Sequence, residues 1–186
     1  MNQTKKNSFH LQLEDITSGY PGLTSVAGAS MLEACIVTLY KSKHKTGVKL
    51  AVTGNNKGEI DLQWNKKCDD QMRRTWNDQD EATELAATCV SILLAFRKTG
   101  YSVIERSFKK TGIDYWLGEN NNDSLNIFDH KARLEVSGIF KGDEKRVESR
   151  VKIKLKQSKQ SDASGLPAYI SVIEFSLPQF KFVKRK

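Results

Sequence analysis

The sequence predicts a mixed α/β fold, with a core of helix, strand, strand, strand, helix and strand that follows an N-terminal helix and a β-hairpin. Apolar residues recur at helical spacing in some segments, whereas in others they alternate or run continuously over short lengths. The chain of 186 residues is long enough for one domain with a sizeable core. We expect residues 1–78 to form an extension packed on a core of residues 79–186.

The N-terminal extension is predicted to contain an arm, a helix and the hairpin. Residues 1–28 end in SGYPGLTSVAG, whose glycine, serine and proline favour a loop. The next segment, ASMLEACIVTLYKSKH, has apolar residues at helical spacing, and Ser30 is a suitable N-cap. Alternation on both sides of a turn in GVKLAVTGNNKGEIDLQWN predicts the hairpin. The polar segment that follows is expected to be a connector.

A long helix is predicted to open the core. DEATELAATCVSILLAFRKTG is apolar on more than one face, which is typical of a central, buried helix. Asp78 or Asp80 is a suitable N-cap, and Gly100 marks the end of the helix.

Strands and a second helix are predicted for the rest of the core. YSVIERSF, IDYWLG and KARLEVSGIF are predicted to be three strands. KGDEKRVESRVKIKLKQSKQS fits a helix or a strand, and its length without a turn signal favours the helix. YISVIEFSLP is a continuous apolar run, typical of a buried strand.

Charge and cysteine content narrow the classes of function. The net charge is +8, and residues 141–186 carry most of it, with 12 lysines and arginines against 5 acidic residues. Such a positive field attracts polyanions, although a solvated surface also accounts for a charged segment.

Three widely spaced cysteines without a CxxC pair favour neither a disulfide framework nor a zinc site. Because the sequence has no long apolar run and no apolar leader, we expect a cytoplasmic protein that does not enter membranes.

The segment TELAATCVSILLAFRKTGYSVIERSFKKTGIDYWL, followed by ARLEVSG, resembles the restriction-endonuclease-like superfamily, the PD-(D/E)XK nucleases. In that family a helix with a glutamate precedes a Gly-aromatic step into the first strand. An aspartate begins the second strand, and an acid-x-Lys triplet lies on the third. The resemblance covers about the last hundred residues and depends on the order of the elements more than on any triplet. It implies a restriction-endonuclease-like core.

The resemblance implies a carboxylate site. Asp114 matches the acid of the second strand and Glu135 that of the third, so both are expected to bind the metal. Glu84 matches the acid of the helix, with Glu81 as a substitute. Two carboxylates from adjacent strands can bind one Mg²⁺, or Mn²⁺ in its place, and leave the other positions to water and phosphate.

Ser137 stands at the position of the family's lysine. A hydroxyl group cannot stabilise developing negative charge as an ammonium group can. The missing cation has an alternative source in the next helix, where Arg146, Arg150 and Lys154 recur every fourth residue on one side. Lys154 is therefore grouped with the catalytic candidates.

Nucleic acid is the partner that we expect for the basic C-terminal third, through Arg133, Arg146, Arg150, Lys152 and Lys156. The acidic candidates and Arg133 also have structural interpretations. Asp114 follows a glycine near a turn, and Glu135 would be satisfied by an ion pair with Arg133 or a lysine of the next helix.

The expected function is a nucleic-acid-binding protein of nuclease fold, a Mg²⁺-dependent DNA phosphodiesterase of restriction, repair or anti-phage defence. Two other interpretations stay open. One is a catalytically inactive subunit of the same fold that binds DNA or a protein partner in a larger complex, which the serine at position 137 favours. The other is an unrelated basic α/β domain that binds RNA.

Overall fold

One eight-stranded mixed sheet organises the described residues, 9–53, 58–120 and 129–185, of this computed structural model. In chain order its strands are β1 (Phe9–Gln12), β2 (Val48–Val52), β3 (Gly58–Gln63), β4 (Ser102–Arg106), β5 (Tyr115–Gly118), β6 (Ala132–Ile139), β7 (Ala168–Glu174) and β8 (Gln179–Arg185). The α-helices are α1 (Ser25–Lys41), α2 (Asp70–Thr75), α3 (Gln79–Thr99) and α4 (Glu144–Gln157), and two 3-10 helices span Leu13–Ser18 and Ser158–Ser164. Within the described ranges, no helix is both long and apolar enough to cross a membrane.

The strands lie across the sheet in the order β1, β3, β2, β8, β7, β6, β5, β4. β4, β5 and β6 form an antiparallel meander, α4 follows, and β7 pairs parallel to β6. β8 is antiparallel to β7, and its first residues pair with β2 on the other side. The hairpin of β2 and β3 therefore continues the same sheet that β4 to β8 form.

The two faces of the sheet carry different helices. Leu134 and Val136 of β6 belong to the larger apolar core, to which α1 and α3 contribute. Ile170 and Val172 of β7 instead pack with Val147 of α4 in a smaller cluster. Because side chains alternate along a strand, Arg133, Glu135 and Ser137 of β6 lie on the opposite face of the sheet, on which α4 packs. The site described below lies on this face.

The N-terminal segment is more regular than its sequence predicts. β1 and a 3-10 helix lie within the expected loop, and α1 begins at Ser25 with Thr24 as its N-cap, so the expected cap at Ser30 is wrong. The hydroxyl of Thr24 accepts a hydrogen bond from the backbone N–H of Ala27 at 3.2 Å. Gly28 is needed for packing, because a Cβ atom there would lie 2.2 Å from the carbonyl oxygen of Ile16.

Several local predictions for the core are confirmed. Asp78 caps α3 by accepting hydrogen bonds from the backbone N–H groups of Asp80 and Glu81, and Gly100 ends this helix with a φ of 75°. The ambiguous basic segment forms α4, so the helical interpretation is correct. Besides β1 and the two 3-10 helices, α2 and β8 were not predicted: α2 lies in the expected connector, and β8 follows the apolar strand β7.

Candidate carboxylate site

β5 and β6 bring two acidic side chains close together. Tyr115 pairs with Leu134 across these strands, so Asp114, directly before β5, lies opposite Glu135. Asp114 is fixed there because its backbone N–H donates to the carbonyl of Leu134 at 2.9 Å and its Oδ2 accepts from the N–H of Val136 at 2.7 Å. The negative charge of Asp114 contributes to a raised pKa of Glu135. The two carboxyl groups are therefore near neighbours.

Glu135 is almost fully buried, with 1% of its surface exposed. Its Oε1 accepts hydrogen bonds from Lys154 Nζ at 2.5 Å and from Gln157 Nε2 at 3.0 Å. Its Oε2 has no hydrogen-bond partner among the described residues. Burial and then the charge of Asp114 raise the pKa of Glu135 from 4.5 to about 7, although Lys154 acts in the opposite direction. A buried carboxylate oxygen without a partner is a group that a cation would stabilise.

A polar cavity of about 600 Å³ is lined by Asp114, whereas the buried Glu135 is not part of the lining. Six of the residues that the sequence analysis singled out line it: Glu84, Asp114, Ser137, Arg146, Arg150 and Lys154. Acidic groups and basic groups therefore share one concave surface, which suits a ligand that carries both a phosphate and a metal ion. Glu84 is exposed at the start of α3, while the substitute considered for it, Glu81, is not part of the lining.

Three of the four basic residues of the cavity come from one side of α4, and the fourth, Lys141, precedes this helix. Val147 and Val151 pack against the sheet, and residues three positions farther along a helix lie on a neighbouring side. This packing turns Arg150 and Lys154 toward β6, where Arg150 Nη1 donates to Ser137 Oγ at 2.7 Å and Lys154 contacts Glu135. The helix thus brings an ammonium group and a guanidinium group next to β6.

Gln157 is a member of the site that the sequence analysis did not single out. Its amide donates to Oε1 of Glu135, which orients the carboxylate together with Lys154. A signal for it was present, because Gln157 follows Lys154 by three positions on a helix and shares its side.

Arg133 does not belong to a nucleic-acid surface, so this expectation is corrected. The residue is 2% exposed, and its guanidinium donates to the carbonyl oxygens of Ser158 (3.2 Å) and Leu166 (2.5 Å) and to Asp162 (3.2 Å). Of the two ion pairs considered for Glu135, the structure has the one with a lysine of the next helix, Lys154, and not the one with Arg133. Arg133 instead fixes the second 3-10 helix beside the sheet.

The remaining basic candidates divide between different surfaces. Arg146 is exposed, and its guanidinium donates to the carbonyl oxygen of Lys141 at 2.8 Å at the entrance of the carboxylate cavity. Lys152 lines another cavity, and Lys156 is exposed on α4 without lining either cavity. The basic surface expected from the charge of the C-terminal third is therefore not continuous along one side of α4.

In the part of the chain that the structure describes, no three or more His, Cys, Asp and Glu side chains are grouped to hold a metal ion. A cation here would have two protein carboxylates, which is within the number that Mg²⁺ takes when water and phosphate complete its ligands. Comparisons of the chain with protein-family models, curated proteins and solved structures find no match.

Proposed function

We propose that this protein binds nucleic acid, with DNA as the expected substrate, and hydrolyses its phosphodiester bonds with a divalent cation held by Asp114 and Glu135. The observation that carries the proposal is the close approach of two carboxyl groups from adjacent strands, one of which, Asp114, lines a cavity that also has basic residues. The order helix, strand, strand, strand, helix, strand from α3 to β7 supports the restriction-endonuclease-like fold that the resemblance implies.

The carboxylate pair is suited to Mg²⁺, or to Mn²⁺ in its place. Both are hard cations that prefer oxygen ligands, and the Oε2 of Glu135 is buried without a hydrogen-bond partner among the described residues. When bound, such a cation polarises a phosphate and lowers the pKa of an attacking water.

The residues of α4 supply the positive charge that the reaction needs. Lys154 Nζ lies 2.5 Å from Glu135 Oε1, and an ammonium group there can balance the negative charge that develops on phosphorus oxygens. Arg150 reaches Ser137 with one nitrogen, and its planar guanidinium has further donors for a phosphate oxygen. Ser137 then acts as a positioning residue for Arg150.

Cleavage of plasmid DNA with Mg²⁺ or Mn²⁺ tests this proposal. We expect Asp114→Asn and Glu135→Gln to abolish cutting and Lys154→Ala to slow it by about 100-fold, the loss typical for one charge-stabilising group. Asp15→Asn, which changes an exposed carboxylate in the first 3-10 helix, should cut as the wild type does. Cutting that persists unchanged in both carboxylate variants would overturn the proposal.

Calorimetric titration with Mn²⁺ gives a readout that does not depend on activity. We expect the wild type and Asp15→Asn to bind the cation and both carboxylate variants to lose it, because each removes one of only two acidic ligands. A cation affinity that is equal in all four proteins would show that the pair is not a metal site.

A second candidate function is a catalytically inactive nuclease-fold subunit that binds DNA or a protein partner. The observation that favours it is Ser137 at the position of the family's lysine, together with an ion pair that already satisfies one oxygen of Glu135. This candidate would be supported if the wild type binds DNA at low salt but neither cuts it nor binds Mn²⁺. Retention of RNA alone would select the basic RNA-binding domain.

A further inference from the structure

A second cavity, of about 820 Å³, lies where β8 separates from β2. These strands pair only at Ala51 with Gln179 and at Val52 with Phe180. Among the described residues, the later part of β8 has no strand on that side, so its edge forms the floor of a cleft. The end of α3 lines one wall and α4 lines the other. We call this the β8 cleft.

The β8 cleft is strongly basic. Four lysines line it: Lys98, Lys152, Lys181 and Lys184. The one acidic residue of the lining, Glu148, forms an ion pair with Lys181 at 3.2 Å. In the described part of the chain, the other three lysines have no carboxylate within ion-pair distance. The cleft therefore attracts anions and excludes cations.

Aromatic rings lie next to these ammonium groups. Phe182 lines the cleft and stacks on Tyr169, with ring centroids 5.3 Å apart and an angle of 23° between the ring planes. Lys184 Nζ lies 5.8 Å from the centroid of the Tyr169 ring, and Lys98 Nζ lies 5.5 Å from that of Phe180. Burial lowers the pKa of Lys98, and a bound anion would oppose this effect. Phosphates and planar bases together match this arrangement of charge and rings.

We propose that the β8 cleft binds single-stranded nucleic acid, with phosphates on its lysines and a base against Phe182. Sites of roughly 300 to 1,000 Å³ enclose ligands of drug size, so this cleft admits about one or two nucleotides of a single strand and excludes a duplex. An acidic peptide would match the charge, but lysines along a strand edge discourage pairing with another strand and the stacked rings would stay unused. The inference extends the proposed function, but it rests on residues outside the carboxylate cavity.

Fluorescence anisotropy of a labelled oligothymidylate, measured in EDTA so that no cutting occurs, tests the proposal. We expect Lys98→Glu and Lys152→Glu each to weaken binding by at least about 10-fold at low salt. Each should also reduce the slope of log K against log salt by about 0.7, the value for one lost phosphate contact on a single strand. Lys67→Glu is the matched control, since it reverses the charge of an exposed lysine between β3 and α2. It should change the affinity by less than about two-fold.

An abasic oligomer of the same length tests the role of the bases without a change in the protein. It has the same charge, so a binding loss of about 10-fold relative to oligothymidylate would support stacking in the cleft. Equal affinity for both oligomers, equal weakening by Lys67→Glu and the cleft variants, or binding of polyglutamate in place of the oligomer would each overturn the proposal.

The Asp114→Asn, Glu135→Gln double variant separates this inference from the proposed function. We expect it to retain oligomer binding in EDTA, because neither residue lines the β8 cleft. Retained oligomer binding by the double variant supports the cleft, whether or not the wild type cuts DNA. If the folded double variant no longer binds the oligomer, the oligomer binds in the carboxylate cavity, and the proposal for the β8 cleft is overturned.

Discussion

Glu135 combines the features that make a buried carboxyl group sensitive to its surroundings. Burial and Asp114 disfavour its charge, whereas Lys154 and Gln157 donate hydrogen bonds to one of its oxygens. These influences leave its pKa near neutrality, so proton and cation compete for the same group. Whether the site holds a proton or a cation therefore depends on Glu135.

The stability of the protein should depend on pH through Glu135. Because its pKa is about 7 in the folded protein and 4.5 ordinarily, its contribution to stability is present below pH 4.5 and is lost as the pH rises through 7. We expect the free energy of unfolding of the wild type, relative to Glu135→Gln, to fall by on the order of 3 kcal/mol over this interval. Urea unfolding at a series of pH values measures it. Parallel pH profiles for the two proteins would contradict the assignment.

Arg133 is expected to matter for stability and not for binding. Its removal takes the donor from the carbonyl oxygen of Leu166 and one of two donors from the carbonyl oxygen of Ser158 and from Asp162, so Arg133→Ala should lower the free energy of unfolding by about 3 kcal/mol. Arg146→Ala, at an exposed position of α4, should change it by less than about 0.5 kcal/mol. Urea unfolding distinguishes the two. An Arg133→Ala protein of unchanged stability would restore this residue to the candidates for nucleic-acid contact.

At the scale of elements, the site is positioned by a contact between the turn that joins β4 to β5 and the end of α4. Gly112 has a φ of 75°, and a Cβ atom there would lie 2.1 Å from the carbonyl oxygen of Gln157, whose side chain orients Glu135. The turn therefore carries Asp114 on one side and touches the helix that carries Lys154 on the other.

Substitution of Gly112 should disturb stability and the site together. Gly47 is a matched control, since its φ is 84° and a Cβ atom there would meet nothing within 4 Å. We expect Gly47→Ala to lose about 1 kcal/mol through backbone strain alone and Gly112→Ala to lose at least about 2 kcal/mol more through the clash. Thermal unfolding compares the two variants. Equal losses would show that the turn can move away from α4 without penalty.

At the scale of the molecule, the sheet and the core join the two halves of the chain. α1 contributes apolar residues to the same core as α3, and β1, β2 and β3 continue the sheet beyond β8. Cys35 of α1 and Cys89 of α3 are both buried there, and Cys35 together with burial raises the pKa of the Cys89 thiol. The described residues before Gln79 therefore cover a large apolar surface of those that follow.

A fragment of residues 79–186 should not fold by itself. Removal of the first 78 residues would expose the face of α3 that packs on α1, as well as the edge of β8 that pairs with β2. We expect weak, non-cooperative thermal unfolding of the fragment by circular dichroism. A cooperative transition like that of the full chain would show that residues 79–186 form an independent unit.

The sequence by itself determined the elements with strong local signals. Asp78 and Gly100 mark the two ends of α3 because capping depends on neighbouring residues, and the hairpin of β2 and β3 follows from alternation around a turn. Predictions failed where the local sequence pattern favoured another structure or gave no regular periodicity. Gly28 was taken as part of a loop although it lies in α1 and allows the first 3-10 helix to pack closely against it, and β8 was missed because lysines interrupt its aromatic residues.

Only the tertiary structure decided which charged groups meet. The sequence placed Glu135, Arg133 and Lys154 as candidates, but the side of α4 that faces β6 depends on how Val147 and Val151 pack against the sheet. That packing pairs Lys154 with Glu135 across 19 positions of the chain and leaves Arg133 buried against the second 3-10 helix. Partners of buried charges are chosen by contacts between distant segments, and such contacts leave no periodic signal in the sequence.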